Sequence, residues 1–447
     1  MLESSATVVW RLMAIDLLLK DGLVILQGKP TKRSIAIVGH TIEGIYSDGE
    51  EPPAKEVMDC TGMYVLPGMI DMHVHLRDLN QSYKEDYDSG TRAAAAGGVT
   101  TVVDMPNSVP PVLSRSVLDM KINRARKQRF VNVGFYAGIP RDVTAFDTAL
   151  VGDILGIKVY PHAPLAGGVT WNSSRIHAAL QLSSKYNLPL LFHPDLARGK
   201  AASITEFFSK HSCKEEANAV AMFVAALQEV GGHLHVCHVS CASAAELIMK
   251  SRAEEILTAE VTPHHLFLSR DDIHGQDGTS KVLPPLRSRQ DREVLWYMLC
   301  KRCAIDCVAS DHAPHTRDEK MRDFAEALSG LPGLETTVPL MITAVLEKRM
   351  TWADYLRTCC YLPARILGLR GKGILAKGFD ADIVVVSPEE YEIQGDTFFS
   401  KARVTPFEGR HVKAKPVMTI VEGQIVYDHG RFVVGPGLVG CVPVRKR

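Results

Sequence analysis

Hydrophobic and polar positions follow two rhythms along the chain. From 14 to 65, short apolar runs are broken by turn signals: IDLLLKDG, LVILQG, SIAIVG, TIEGIYSDG and MYVLPG. This pattern predicts an antiparallel sheet with tight Asp-Gly turns. The same texture returns in ADIVVVSP and VMTIVEGQIVYDHGRFVV near the other end. Chain termini often lie close together, so both ends are expected to build one small β-sandwich domain.

Between them, eight strand-like segments alternate with helical patterns: MIDMHVHL, GVTTVVDMP, VNVGFYAG, ILGIKVYP, LPLLFHPD, HLHVCHVS, EILTAEVTP and AIDCVASDH. Near-continuous apolar strands separated by helices predict parallel pairing, and eight of them predict a (β/α)8 TIM-type barrel. The expected fold class is therefore α/β, a barrel over 66–372 with a sandwich formed by 13–65 and 373–447. Residues 1–12 are expected to be a disordered extension or a start-site artefact. Irregular stretches at 161–175, 269–290 and 312–332 each follow a strand, where a barrel carries its active-site loops.

Composition narrows the classes. The 447 residues hold 51 Lys plus Arg and 51 Asp plus Glu, so no global field favours nucleic acid or an anionic membrane. Selectivity for a charged ligand has to be built locally. No apolar run reaches membrane-spanning length. The start of the chain is interrupted by Glu3, Arg11, Asp16 and Lys20, unlike a signal peptide. Ten cysteines without a secretion signal predict free thiols in a reducing compartment. Cys300, Cys303 and Cys307 lack a fourth ligand at a fitting spacing and read as buried thiols.

Polar residues inside apolar strands carry the chemistry. In GMIDMHVHLRD, His73 and His75 project to one side of the strand, and Arg77 follows at the strand end with the same parity, open to re-aiming by the loop. Burying two imidazoles without a partner is costly, and metal ligation removes that cost. Lys158, His193, His238 and Asp311 interrupt four further strands at or near their C-terminal ends, the catalytic rim of a barrel. Four histidines and an aspartate give N and O ligands for two zinc-like ions. A buried ammonium at Lys158 would cost several kcal/mol or lose its proton, roughly by the general rule for buried charges. A neutral amine beside two cations can instead take up carbon dioxide, giving an N6-carboxylysine whose two oxygens bridge metals.

This arrangement resembles the ligand set of the amidohydrolase superfamily, and the chain is similar to its cyclic-amide branch of dihydroorotases, allantoinases and hydantoinases. GTRAAAAGGVTT, EVTPHHL, LPPLRSRQD, GLPGLET, GFDADIVVV and TPFEG extend the similarity over nearly the whole chain. A guanidinium fork is the natural partner of a carboxylate, and Arg77 supplies one. The resemblance to dihydroorotases adds Asn107 and His315 to that carboxylate pocket. It also implies that His75 and backbone groups of Ser329 and Gly330 contact the substrate. Asp311 is then the catalytic acid–base, besides being a metal ligand.

The implied activity is the reversible cyclisation of N-carbamoyl-L-aspartate to (S)-dihydroorotate, the third step of de novo pyrimidine synthesis, with two zinc ions per subunit. The implied setting is the cytoplasm, with a homodimer and association with other pyrimidine-pathway enzymes as partner expectations. The alternatives are a hydantoinase, dihydropyrimidinase or allantoinase, and a non-enzymatic scaffold, which would have shed metal ligands. His264 and His265 are expected to be structural. His235, of the other parity from His238, is expected inside the barrel, and His312 is expected to point away from Asp311. Two departures from the family stand out. Leu283 occupies a place where relatives often carry Asn or Arg, and His193-Pro194-Asp195 replaces the commoner His-Ala-Glu.

Overall fold

A computed structural model describes residues 15–252, 256–273 and 278–445, so the expected extension at 1–12 lies outside the described residues. The first five strands are β1 (Ile15–Leu26), β2 (Lys29–Val38), β3 (Thr41–Tyr46), β4 (Ala54–Asp59) and β5 (Tyr64–Pro67). The barrel follows as β6 (Met69–Val74), β7 (Val99–Asp104), β8 (Asn132–Ala137), β9 (Gly156–Val159), β10 (Leu190–Phe192), β11 (Leu234–Val236), β12 (Leu257–Val261) and β13 (Cys307–Val308). Then come β14 (Ile383–Ser387), β15 (Tyr391–Glu392), β16 (His411–Val412), β17 (Lys415–Val421), β18 (Gln424–Asp428) and β19 (Arg431–Phe432).

Strands β6 to β13 pair in sequence order, all parallel, as the eight apolar segments predicted. Their residues are buried throughout, because helices cover the outside and side chains fill the inside. The ring closes where Val74 bridges His312 and the His75 N–H donates to the His312 carbonyl at 2.7 Å. Ile70, Met72, Val103, Tyr136, Leu191 and Cys307 belong to the cluster that plugs the barrel interior. Truncating one of these, Leu191→Ala for example, falls in the class of changes that cost about 2–5 kcal/mol. Among the described residues no helix is long and apolar enough to cross a membrane.

The two chain ends form one nine-stranded sheet, joined where β5 runs antiparallel to β14. It has its own core, including Leu17, Leu19, Ile35, Ile37, Ile383 and Ile420. The sheet curls until Gly423, in the turn between β17 and β18, meets the turn between β2 and β3. A Cβ at Gly423 would lie 2.1 Å from the Gly39 carbonyl oxygen.

Two local expectations change. Asp21-Gly22 is a bulge inside the long strand β1, with Asp21 at φ 59 and the register shifting between Leu19 and Gly22. The hairpin turn is at Gln27-Gly28 instead, so IDLLLKDG and LVILQG are one strand. The sheet is also not purely antiparallel, since β1 runs parallel to β4 and β5 along its other edge.

Past Phe432 the chain leaves the sheet and runs along the start of β8. The Val133 N–H donates to the Cys441 carbonyl at 3.0 Å, and the Arg129 guanidinium donates to the Gly440 carbonyl. All ten cysteines are free thiols, but of the trio only Cys307 is buried; Cys300, the last residue of the helix Arg289–Cys300, is half-buried, and Cys303, beyond that helix, is exposed.

Candidate active site

The side chains that interrupt the barrel strands meet at their C-terminal ends. His73 and His75 leave β6 on one side, their ring centroids 5.4 Å apart. The Nε2 atom of each lies 3.2 Å from Asp311 Oδ1. One ligand atom from each of His73, His75 and Asp311 falls within 4.8 Å of the others. His193 follows β10 and His238 follows β11, with His193 Nδ1 2.9 Å from His238 Nε2. Lys158, on β9, is fully buried and places Nζ 2.7 Å from Cys237 Sγ. Cys237 in turn forms a second close group of possible ligand atoms with His73 and Glu260. The six sequence-selected residues thus stand at the same end of the barrel, and of them His73, His75 and Asp311 form one close group of possible ligand atoms among the described residues.

The electrostatics of this cluster fit a cation. Burial pushes His75 down to about 4, and burial with neighbouring rings holds His193 and His238 well below the usual histidine value. Neutral imidazole is the metal-binding form. His193 Nε2 and His238 Nδ1 are sealed from solvent without a hydrogen-bond partner. Two such orphans in one buried cluster are costly unless an ion occupies them. Burial opposes the charges of Asp311 and Glu260, yet His73 beside them keeps both carboxylates well below their usual range. His73 departs from the other three rings: burial works downward, but Glu260 on Nδ1 prevails and raises it to about 10, so this ring has to give up a proton to bind an ion.

Local backbone strain sets the aim of these groups. Arg77 (φ 56), His238 (φ 34) and Asp311 (φ 47) occupy the left-handed region, unusual for residues with a side chain. Each such residue costs on the order of 1–3 kcal/mol and persists only where its surroundings over-determine it. Here Asp71 accepts the N–H groups of His73 and Ser310, at 3.2 and 3.1 Å, and Asp104 accepts that of Leu76 at 3.0 Å.

The cluster opens into a cavity of about 400 Å³ whose wall includes Arg77, Asn107, His315, Ser329 and Gly330. Arg77 is buried and donates through Nε to the Pro314 carbonyl at 3.2 Å. Asn107 Oδ1 lies 2.7 Å from His75 Nδ1 and orients that ring. His315 Nε2 lies 3.1 Å from the Ser329 carbonyl. Gly330 sits at φ 143, where a Cβ would come within 2.5 Å of the Ala313 carbonyl, so only glycine lets the two loops close up.

Leu283 stands in the wall as the sequence indicated and brings no polar side chain. Asp195 of the variant His-Pro-Asp pairs with His211 at 2.5 Å. His235 bonds Glu260 at 3.1 Å inside the barrel, and His265 is tied to Thr262 and the Pro284 carbonyl. His312 accepts the Gly333 N–H through Nδ1. Sequence reasoning passed over Glu260, Tyr160 and His162. A carboxylate in the apolar run EILTAEVTP was a usable signal for the first. Tyr160 and His162 share the parity of Lys158 and also line the cavity.

Residues 64–426 match the model of the amidohydrolase family. The chain belongs to that family. As an amidohydrolase it is a hydrolytic enzyme, and its curated relatives point within the family. It is 36% identical over 426 residues to the dihydroorotase of Halobacterium salinarum, covering 92% of this chain and 96% of that one. It is 33% identical to the dihydroorotase of Lactobacillus johnsonii, over 92% of this chain and 99% of the relative. Among solved structures, the L-hydantoinase (dihydropyrimidinase) of Arthrobacter aurescens superposes with a TM-score of 0.90 at 25% identity, covering 96% of this amidohydrolase and 100% of that chain. The dihydropyrimidinase of Brevibacillus agri, at 24% identity and a TM-score of 0.87, shares the fold.

Proposed function

We propose that this amidohydrolase is a dihydroorotase, interconverting N-carbamoyl-L-aspartate and (S)-dihydroorotate plus water in de novo pyrimidine synthesis. The observation that carries the reading is Arg77. A guanidinium is buried beside the hydrolytic cluster, in a chain without net charge, where a ring carboxylate could reach it. Uncharged hydantoins and dihydropyrimidines have no group to answer it. The similarity to dihydroorotases at 33–36% identity supports the same choice.

His73, His75, His193, His238 and Asp311, with Lys158 as its carbamate, would hold two zinc ions. The chemistry that ions held there would supply is a water with its pKa brought down to ~7 and a polarised amide carbonyl. Arg77, Asn107 and His315 bind the substrate carboxylate and fix the ring, and the backbone at Ser329 and Gly330 lies against it. Asp311 takes a proton from the attacking water and passes it to the ring nitrogen as the C–N bond breaks; cyclisation runs the same transfers backwards. Asn107 keeps the His75 ring oriented throughout.

The second reading is a hydantoinase or dihydropyrimidinase, favoured by the solved structures that share the fold, with allantoinase beside it. Turnover of dihydroorotate, dihydrouracil, hydantoin and allantoin by the zinc-loaded enzyme decides between them. Dihydroorotate should be preferred; preference for the uncharged rings would overturn the reading. Metal analysis of gently purified protein should find zinc, and a metal-free, inactive protein would point to a scaffold.

A further inference from the structure

Behind the carboxylate pocket stands a cation that the reaction above leaves unused. Lys84 is buried at 6% exposure, with Nζ 3.1 Å from His315 Nδ1 and 2.9 Å from Glu319 Oε1. An ammonium has three hydrogens and no lone pair, so in this contact it can only donate. Nδ1 therefore accepts, and the ring proton resides on Nε2. The far side of the ring agrees. Nε2 lies 3.1 Å from the Ser329 carbonyl oxygen, where the other tautomer would set two lone pairs face to face. Arg77 Nη2, also a donor only, lies 3.4 Å from the same nitrogen and favours the opposite tautomer, but it is the longest of the three contacts and the two at 3.1 Å outweigh it; the ring thus stands between two cations. Burial, then Arg77 and Lys84, push His315 down to about 2, which keeps it neutral.

Glu319 is the competing partner. Its Oε2 is 3.5 Å from His315 Nδ1, and a carboxylate can only accept. With Lys84 in place Glu319 is neutralised and the ring proton stays on Nε2. Without it, Glu319 would draw the proton to Nδ1. Nε2 would then turn a lone pair toward the Ser329 carbonyl and toward the place of the substrate carboxylate.

We propose that Lys84 is a positioning residue for acidic substrates, fixing His315 in the Nε2–H tautomer so that the carboxylate pocket presents a donor rather than a lone pair. The inference rests on reading His315 as a carboxylate contact in a dihydroorotase. It adds a residue outside the Arg77–Asn107–His315 set and gives it a defined task.

Long-range 1H–15N spectra of the histidine rings in zinc-loaded enzyme test the tautomer directly. The wild type should carry the His315 proton on Nε2 and Lys84→Met should carry it on Nδ1. In Lys84→Met, KM for dihydroorotate should rise about 10- to 100-fold, the usual range for spoiling one buried polar contact, while kcat changes little. Adding Glu319→Gln to Lys84→Met should bring KM back toward wild type. The uncharged amide no longer draws the ring proton to Nδ1, while its oxygen can keep the Thr316 N–H, now held by Oε2 at 3.1 Å. A purely structural lysine would not be rescued in this way. A wild-type proton on Nδ1, or a double variant no better than Lys84→Met, overturns the proposal. Turnover of neutral rings alone would instead overturn the dihydroorotase reading, and the wild-type spectrum decides on the tautomer in that case too.

Discussion

Arg77 combines three features seldom found together: a guanidinium, near-complete burial, and a backbone in the left-handed region at φ 56. Arg77→Lys keeps the charge but loses the planar fork. It should lower kcat/KM for dihydroorotate about 100-fold, the scale of a lost charge-assisted pair, and leave any slow dihydrouracil turnover nearly unchanged. Steady-state kinetics on both substrates checks this, and an equal loss on both would remove Arg77 from carboxylate recognition. Asp311→Asn keeps the shape of the proton carrier and abolishes its basicity. It should cut kcat by about 10²–10⁴-fold, the range for general acid–base groups, with little change in dihydroorotate binding by calorimetry. These two residues were legible in the chain because each breaks an apolar strand, and Arg77 repeats the parity of His73 and His75. Lys84 was not. It lies in the ordinary polar stretch LNQSYKED, and only folding brings it to His315, 231 positions away.

At the level of elements, apolar periodicity located all eight barrel strands, because a strand buried on both faces has almost no polar positions to confuse the reading. The sheet of the two ends was harder. Asp21-Gly22 and Gln27-Gly28 offer the same local signal, a residue of positive φ followed by glycine or a tight pair. One becomes a bulge and the other a turn because β1 must pair with β2 along its whole length, which local sequence does not encode. The C-terminal strap is likewise hidden, since GPGLVGCV carries no strand rhythm. Its bonds to β8 lie at the N-terminal end of the barrel, opposite the catalytic rim. Removing residues 436–447 frees Asn132 Oδ1, which accepts the Cys441 N–H at 2.9 Å, and exposes the Arg129 contacts. Losing a few such bonds should cost about 1–3 kcal/mol. The truncated enzyme should show a lower urea midpoint and an unchanged kcat at low temperature. A loss of kcat in the folded, truncated enzyme would mean that the strap communicates with the site.

Across the whole molecule charge is balanced, but titration is not. His233, His264, His265 and His315 lie outside the six proposed metal-binding residues, and burial lowers each first and most: to about 3, about 4, well below the usual value, and to about 2. The unfolded chain protonates these rings near pH 6.5 and the folded chain does not. Below that value the unfolded state binds more protons, so stability is complete above pH 6.5 and is lost as pH falls toward the folded-state values. Each fully buried ring contributes a slope of up to about 1.4 kcal/mol per pH unit. Even two rings behaving this way would remove about 3 kcal/mol per unit, a large share of a typical folding free energy of ~5–15 kcal/mol. The urea midpoint should therefore fall steeply between pH 6.5 and pH 5, above the range where most carboxylates titrate. His233 is the ring to change, because it sits at the opposite end of the barrel from the catalytic cluster and its Nε2 bonds Thr258 Oγ1 at 2.8 Å. His233→Gln can keep a hydrogen bond to that hydroxyl but cannot take up a proton. Its midpoint should depend less on pH than that of the wild type, with equal activity at pH 7.5. An identical slope in the two proteins would show that His233 is already protonated, or already exposed, in the native state.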